Sequence, residues 1–136
     1  MTQGYRLHWK VIDDILIACS TAGEVPQELW KDLIADVRKH RVTKVIGLSL
    51  GQSSISSSQR KEVSELARLQ GIRLVNITDD KLVRGIMTAL SWLGVNVIAF
   101  PMSQLREGIA SLKLPLPLQE RVYTEAVELR RLTERP

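Results

Sequence analysis

The strongest constraint on this chain is a hydrophobic period that changes repeatedly along its length. Ile15-Leu16-Ile17-Ala18-Cys19 is a continuous apolar run suited to an interior strand, and the short runs Val45 to Leu50, Ile72 to Ile77 and Val95 to Phe100 read as further strands. The stretches between them carry helical spacing instead. Leu29, Trp30, Leu33, Ile34 and Val37 fall on one helix face, and Val63, Leu66 and Ala67 mark the buried side of a second helix. Leu82, Val83, Ile86, Met87, Leu90 and Leu93 give a third a wide stripe. Strand followed by helix, repeated through short connections, predicts an α/β fold whose helices cross over the sheet.

The punctuation agrees with that layout. Tyr5, Leu7, Trp9 and Val11 alternate with Arg6, His8 and Lys10, so a half-buried strand precedes the first interior one, with a hairpin turn at Asp13-Asp14. Pro26 suits the start of the first helix, and Arg38, Lys39, His40 and Arg41 suit its negative end. Gly71 is a natural stop for the second helix. Thr78 is expected to cap the third ahead of Asp79-Asp80, and Gly94 to end it. After Pro101, Ser103 can cap a short helix that turns Leu105, Ile109 and Leu112 inward. Leu114-Pro115-Leu116-Pro117 reads as a stiff extended linker, and Leu118 to Thr133 as a helix with Leu118, Val122, Val127, Leu129 and Leu132 near one side. The expected organisation is therefore residues 1–113 as one domain, and 114–136 as a linker and C-terminal helix that docks back or meets another chain.

Composition removes several function classes. A net charge of +4, with acids interspersed and only 4% aromatic residues, lacks the footprint of a nucleic-acid binder. One cysteine, Cys19, cannot form an internal disulfide, and no His-x-x-x-His or Cys-x-x-Cys spacing points to a metal. No run of about 18 uninterrupted apolar residues occurs, so no membrane-spanning helix is expected. Met1 to Arg6 lacks the basic-then-apolar layout of a secretory signal, which makes a cytoplasmic protein the default. No cofactor is called for. There is no Gly-x-Ser-x-Gly elbow or Gly-Lys-Ser/Thr phosphate loop, so no catalytic residue is assigned and the expectation is a non-enzyme.

The serine-rich loop before the second helix is the most informative local feature. Backbone N–H groups at a helix start stabilise anions, and phosphate on Ser57 would place roughly two negative charges near Arg60 and Lys61. The alternative is that Ser57 or Ser58 merely caps the helix. Asp79-Asp80 is explained by the helix dipole, and Asp13-Asp14 by turn formation. Cys19 suits a small buried position, and the clusters Arg38, Lys39, Arg41, Lys44 and Arg130, Arg131, Arg135 suit solvated helix ends. Trp92 is either partly covered core or an exposed partner anchor.

Two strands, a helix and three further strand–helix units, over about Tyr5 to Leu112, resemble the STAS or anti-anti-sigma-factor (SpoIIAA-like) domain family of bacteria, and the broader STAS/SEC14-like group. The resemblance implies a mixed sheet of about five strands with about four helices, to which this chain adds a C-terminal helix. The family's Asp-Ser-Ser-Gly-Leu turn, whose first serine is phosphorylated by a partner kinase, falls on Ser56-Ser57-Ser58-Gln59-Arg60, after Ile55. Ser57 then matches the phosphoacceptor, while Ser56, Gln59 and Arg60 depart from the family's Asp, Gly and apolar residue. The implied function is a regulatory or scaffold domain that binds another protein, kinase-like or regulatory, through Ser54, Ile55, Ser56, Ser58, Gln59, Arg60, Lys61 and Ser64, with Trp92 as a further contact. The alternatives are a SEC14-like small-ligand or lipid carrier, and a homo-oligomer joined through the C-terminal helix.

Overall fold

The computed structural model describes residues 4–135. Met1 to Gln3, part of the signal-layout reading, and Pro136, the end of the 114–136 tail, lie outside the described residues. The chain forms β1 (Leu7–Ile12), β2 (Ile15–Ser20), β3 (Gly23–Glu24), α1 (Gln27–Lys39), β4 (Lys44–Ser49), β5 (Ser53–Ser54) and α2 (Ser57–Gln70). It continues with β6 (Arg73–Ile77), α3 (Lys81–Trp92), β7 (Asn96–Phe100), a 3₁₀ turn (Met102–Gln104), α4 (Leu105–Ala110) and α5 (Leu116–Glu134). The main sheet has five strands in the order β1-β2-β4-β6-β7, parallel except for the β1–β2 hairpin. That is the expected α/β class with a mixed sheet. The hairpin turns with Asp13 in the left-handed region, at φ 54°.

Because the interior strands are covered on both faces, their side chains sort by period into two cores. Ile15, Ile17, Cys19, Ile46, Leu48, Val75 and Ile77 meet α4 and α5. Leu16, Val45 and Leu74 turn the other way, toward Trp30, Ile34, Leu66 and Leu90 of α1–α3. On this second face the rows shrink along the strands. Leu16, Val45, Leu74 and Val97 lie side by side, then Ala18, Gly47, Asn76 and Ala99, then Ser20 beside Ser49. The two-residue ribbon of β3 and β5, too short to show a hydrophobic period, ties the serine-rich segment to the end of the hairpin.

The tail differs from its expected form. Pro115 is the cap of α5 and Pro117 sits in its first turn, where a missing N–H costs nothing, so the prolines begin a helix rather than a linker. Leu114 is buried, and α5 lies against β1 and β2 of its own chain. Its buried stripe is Val122, Ala126, Leu129 and Thr133, while Leu132 is largely exposed. The buried face of α5 is covered by its own chain, while Leu116 and Leu132 stay exposed. The polar side of β1 is spent on the same contact: His8 Nδ1 lies 3.1 Å from Thr133 Oγ1, and Lys10 pairs with Glu125 at 3.0 Å.

Two glycines have stated geometric reasons. Gly71 ends α2 in the left-handed region, at φ 64°. Gly108 lets α4 approach the sheet, since a Cβ there would sit 2.6 Å from Ile77 Cδ1. Asp80, not Thr78, caps α3: its Oδ1 accepts from the N–H groups of Leu82 and Val83, while buried Thr78 Oγ1 accepts from Asp80 N–H. Pro101 rather than Ser103 starts the turn before α4. The α3 stripe is narrower than expected, with Val83 and Leu90 buried but Leu82 and Leu93 exposed.

Candidate functional site

The serine-rich segment leaves β4, pairs briefly as β5 and opens α2. Ser56, not Ser57 or Ser58, is the cap. Its Oγ accepts from Gln59 N–H at 3.2 Å, and Gln59 Oε1 accepts from Ser56 N–H at 2.9 Å, a reciprocal capping box. Gln59 is buried at 3% exposure, and its Nε2 donates to Val25 O and Gln27 Oε1. The residue therefore bolts the head of α2 to the start of α1. It was expected to touch a partner, and burial removes it from that role. Ser64 is corrected in the same way: it is buried, and its hydroxyl donates to Arg60 O at 2.8 Å.

With the cap supplied by Ser56, Ser57 at the first helical position is left exposed. Arg60 is held over it. Nη1 donates to Ile55 O at 2.8 Å and Nη2 to Ser57 Oγ at 3.2 Å. No acidic residue stands in the first turn of α2, and Lys61 is exposed one position beyond Arg60. The positive end of the helix dipole and a pre-placed guanidinium thus converge on one hydroxyl. Ser58 is exposed, with its Oγ 3.2 Å from Ser56 Oγ, whereas Ser54, Ile55, Ser56 and Arg60 are half-buried.

Trp92 is 82% exposed, so it is no part of the core, but it is not brought to this surface. It ends α3, where Arg68 in the last turn of α2 donates to Leu93 O. The rise of α2 between Ser57 and Arg68 is about 16 Å, so the two features mark opposite ends of the helical layer.

The other chemical candidates have structural partners. Asp80 caps α3, and Asp79 Oδ1 accepts from Met102 N–H at 3.0 Å, both beside a polar cleft of about 530 Å³ lined also by Arg6, Arg130 and Glu134. Asp14 accepts from Thr43 Oγ1 and from Lys44 Nζ, and the Thr43 hydrogen bond, ahead of Lys44, holds its carboxyl below the usual range. Burial pushes the Cys19 thiol up to about 11, so it stays protonated at neutral pH. Arg38, Lys44, Arg130 and Arg131 each pair with an acid. Among the described residues no cluster of three or more His, Cys, Asp or Glu could hold a metal ion, and no helix is long and apolar enough to cross a membrane.

Between the sheet and α1–α3 lies a cavity of about 190 Å³ with almost wholly apolar walls, and Asn76 faces into it. The sequence carries a signal of it: Asn76 interrupts the apolar run Leu74-Val75-Asn76-Ile77 in a strand buried on both sides.

No protein-family model matches this chain, and no curated protein matches it.

Proposed function

We propose that this chain is a STAS-like, non-catalytic regulatory domain that binds another protein through the exposed head of α2, with phosphate at Ser57 as the switch. The observation that carries this reading is the Arg60 guanidinium, held by Ile55 O and already hydrogen-bonded to Ser57 Oγ. Phosphate on that hydroxyl exchanges a neutral hydrogen bond for charge-assisted ones, and it meets no acid in the first turn of α2. The order of strands and helices supports the same reading, since it puts Ser57 at the head of the helix where the STAS-like resemblance puts its phosphoacceptor. The binding surface is then Ser57, Ser58 and Lys61, flanked by Ser54, Ile55, Ser56 and Arg60.

The test is affinity capture from the native source with the wild-type chain, Ser57→Ala and Ser57→Asp, read by quantitative mass spectrometry with phosphosite mapping. A stoichiometric partner whose recovery differs between Ser57→Ala and Ser57→Asp, with phosphate found on Ser57, is expected. Equal recovery with all three chains removes the switch.

The apolar cavity favours a second reading, a small-ligand carrier of the kind the SEC14-like side of the resemblance implies. The cavity does not include Ser57 but shares Ser54 and Ile55 with the flank of the docking surface, so the two readings adjoin in one domain.

A further inference from the structure

We infer that the cavity between the sheet and α1–α3 binds one small, largely apolar molecule carrying a single hydroxyl group, which pairs with the Asn76 carboxamide. The inference rests on the second, small-ligand reading above and names its ligand class.

The size comes first. An engineered interior cavity of about 150 Å³ in another protein admits benzene, so 190 Å³ here has room for one substituted ring or a short branched chain. The chemistry comes from the walls. No Asp, Glu, Lys, Arg or His lines the cavity, so a charged ligand would lose its hydration with nothing to replace it.

An apolar void alone would be a packing defect. Asn76 makes it a site. The residue is more than nine-tenths buried, at 8% exposure, and Oδ1 has no hydrogen-bond partner. Buried polar atoms in folded proteins are almost always satisfied, because the lost hydration is otherwise uncompensated. Oδ1 itself has almost no accessible surface, so a ligand pairs with the carboxamide once the side chain turns it toward the cavity, where its neighbours leave room. Its strand neighbours are Gly47 and Ala99, with Ala18 beyond Gly47, so small side chains surround the carboxamide. A Cβ on Gly47 would already lie 3.6 Å from Asn76 Nδ2. A hydroxyl is the matching group, since it donates to the amide oxygen or accepts from the amide nitrogen, whichever the carboxamide turns to the cavity. The match therefore survives either orientation of the carboxamide.

The experiment is an NMR titration of the full chain with phenol and with toluene, rings of similar size with and without the hydroxyl. Both are expected to shift the side-chain resonances of Ile86 and Met87, and to give intermolecular NOEs to them. Asn76→Val should retain toluene, while the phenol-to-toluene affinity ratio falls about tenfold. Gly47→Val, which raises the cavity floor, should weaken both probes. Toluene binding with an affinity ratio unchanged by Asn76→Val overturns the hydroxyl recognition and leaves the small-ligand reading standing. Absence of shifts and NOEs for both probes in the wild-type chain overturns both. If Gly47→Val does not fold, the wild-type NOEs and the Asn76→Val ratio decide the matter alone.

Discussion

Gln59→Ala is the substitution that probes most sharply how the candidate site is held in place. Gln59 Oε1 accepts from Ser56 N–H, and Nε2 donates to Val25 O and Gln27 Oε1. Truncation to the methyl group leaves Val25 O and Ser56 N–H without these partners and removes half of the capping box. Each unsatisfied group costs about 1–3 kcal/mol when buried, less where water can enter, so a loss of about 2–4 kcal/mol is expected. Unfolding entropy of about 2 cal/mol/K per residue makes 1 kcal/mol worth about 3–4 °C in a chain of 136 residues, or a fall in Tm of about 7–14 °C. Thermal melting by circular dichroism and urea denaturation with an unchanged m-value measure it. Gln59→Glu is the informative control, because it keeps an acceptor for Ser56 N–H but turns a carboxylate oxygen toward Val25 O and Gln27 Oε1. It should be no more stable than Gln59→Ala. A loss under about 1 kcal/mol for Gln59→Ala would refute the view that this side chain bolts α2 to the start of α1.

Other expectations follow from single contacts. Gly108→Ala places a methyl group 2.6 Å from Ile77 Cδ1 and 3.2 Å from Phe100 Cδ1, and should lower stability by about 1–3 kcal/mol in the same denaturation assay. Cys19 is fully buried with its thiol held near 11, so Ellman's reagent at pH 8 should leave it unreacted until urea unfolds the chain. Asp14 has a lowered folded pKa, so its contribution to stability is full above the ordinary carboxylate range and is lost as pH falls through the folded value. The stability difference between wild type and Asp14→Asn should accordingly shrink on acidification below about pH 4, and a constant difference would contradict the assignment. Removal of residues 115–136 uncovers Ile15, Ile17 and Cys19 on the α5 face, and the truncated chain should bind ANS and lose its cooperative melt.

The parts of this architecture visible in the sequence are those that periodicity decides. The three interior strands β2, β4 and β6 and the helices α1–α3 announce themselves because strands buried on both faces read as continuous apolar runs, while helices between them show one stripe; β7 carries a similar apolar run although it lies at the sheet edge with Ile98 exposed. Local polar chemistry was harder to read. Ser56, Ser57 and Ser58 are equivalent as caps on paper, and only the reciprocal bond from Gln59 selects Ser56 and frees Ser57. Thr78 and Asp80 are likewise both cap residues, and the choice depends on where β6 releases the backbone. The prolines of the tail were ambiguous because proline serves an extended linker and the first turn of a helix equally well. Asn76 needed the neighbouring strands: its place in a row with Gly47 and Ala99, under helices that leave space above it, is a tertiary fact.

The central claim, that the head of α2 is built to receive negative charge at Ser57, is tested most directly by preparing the chain with phosphoserine at that position and following its ³¹P resonance against pH. Exposed phosphoserine loses its second proton near pH 6. With Arg60 and the helix dipole facing the phosphate, that midpoint should fall by about one pH unit, and Arg60→Ala should restore most of the difference. A midpoint near 6 that does not respond to Arg60→Ala would contradict the account.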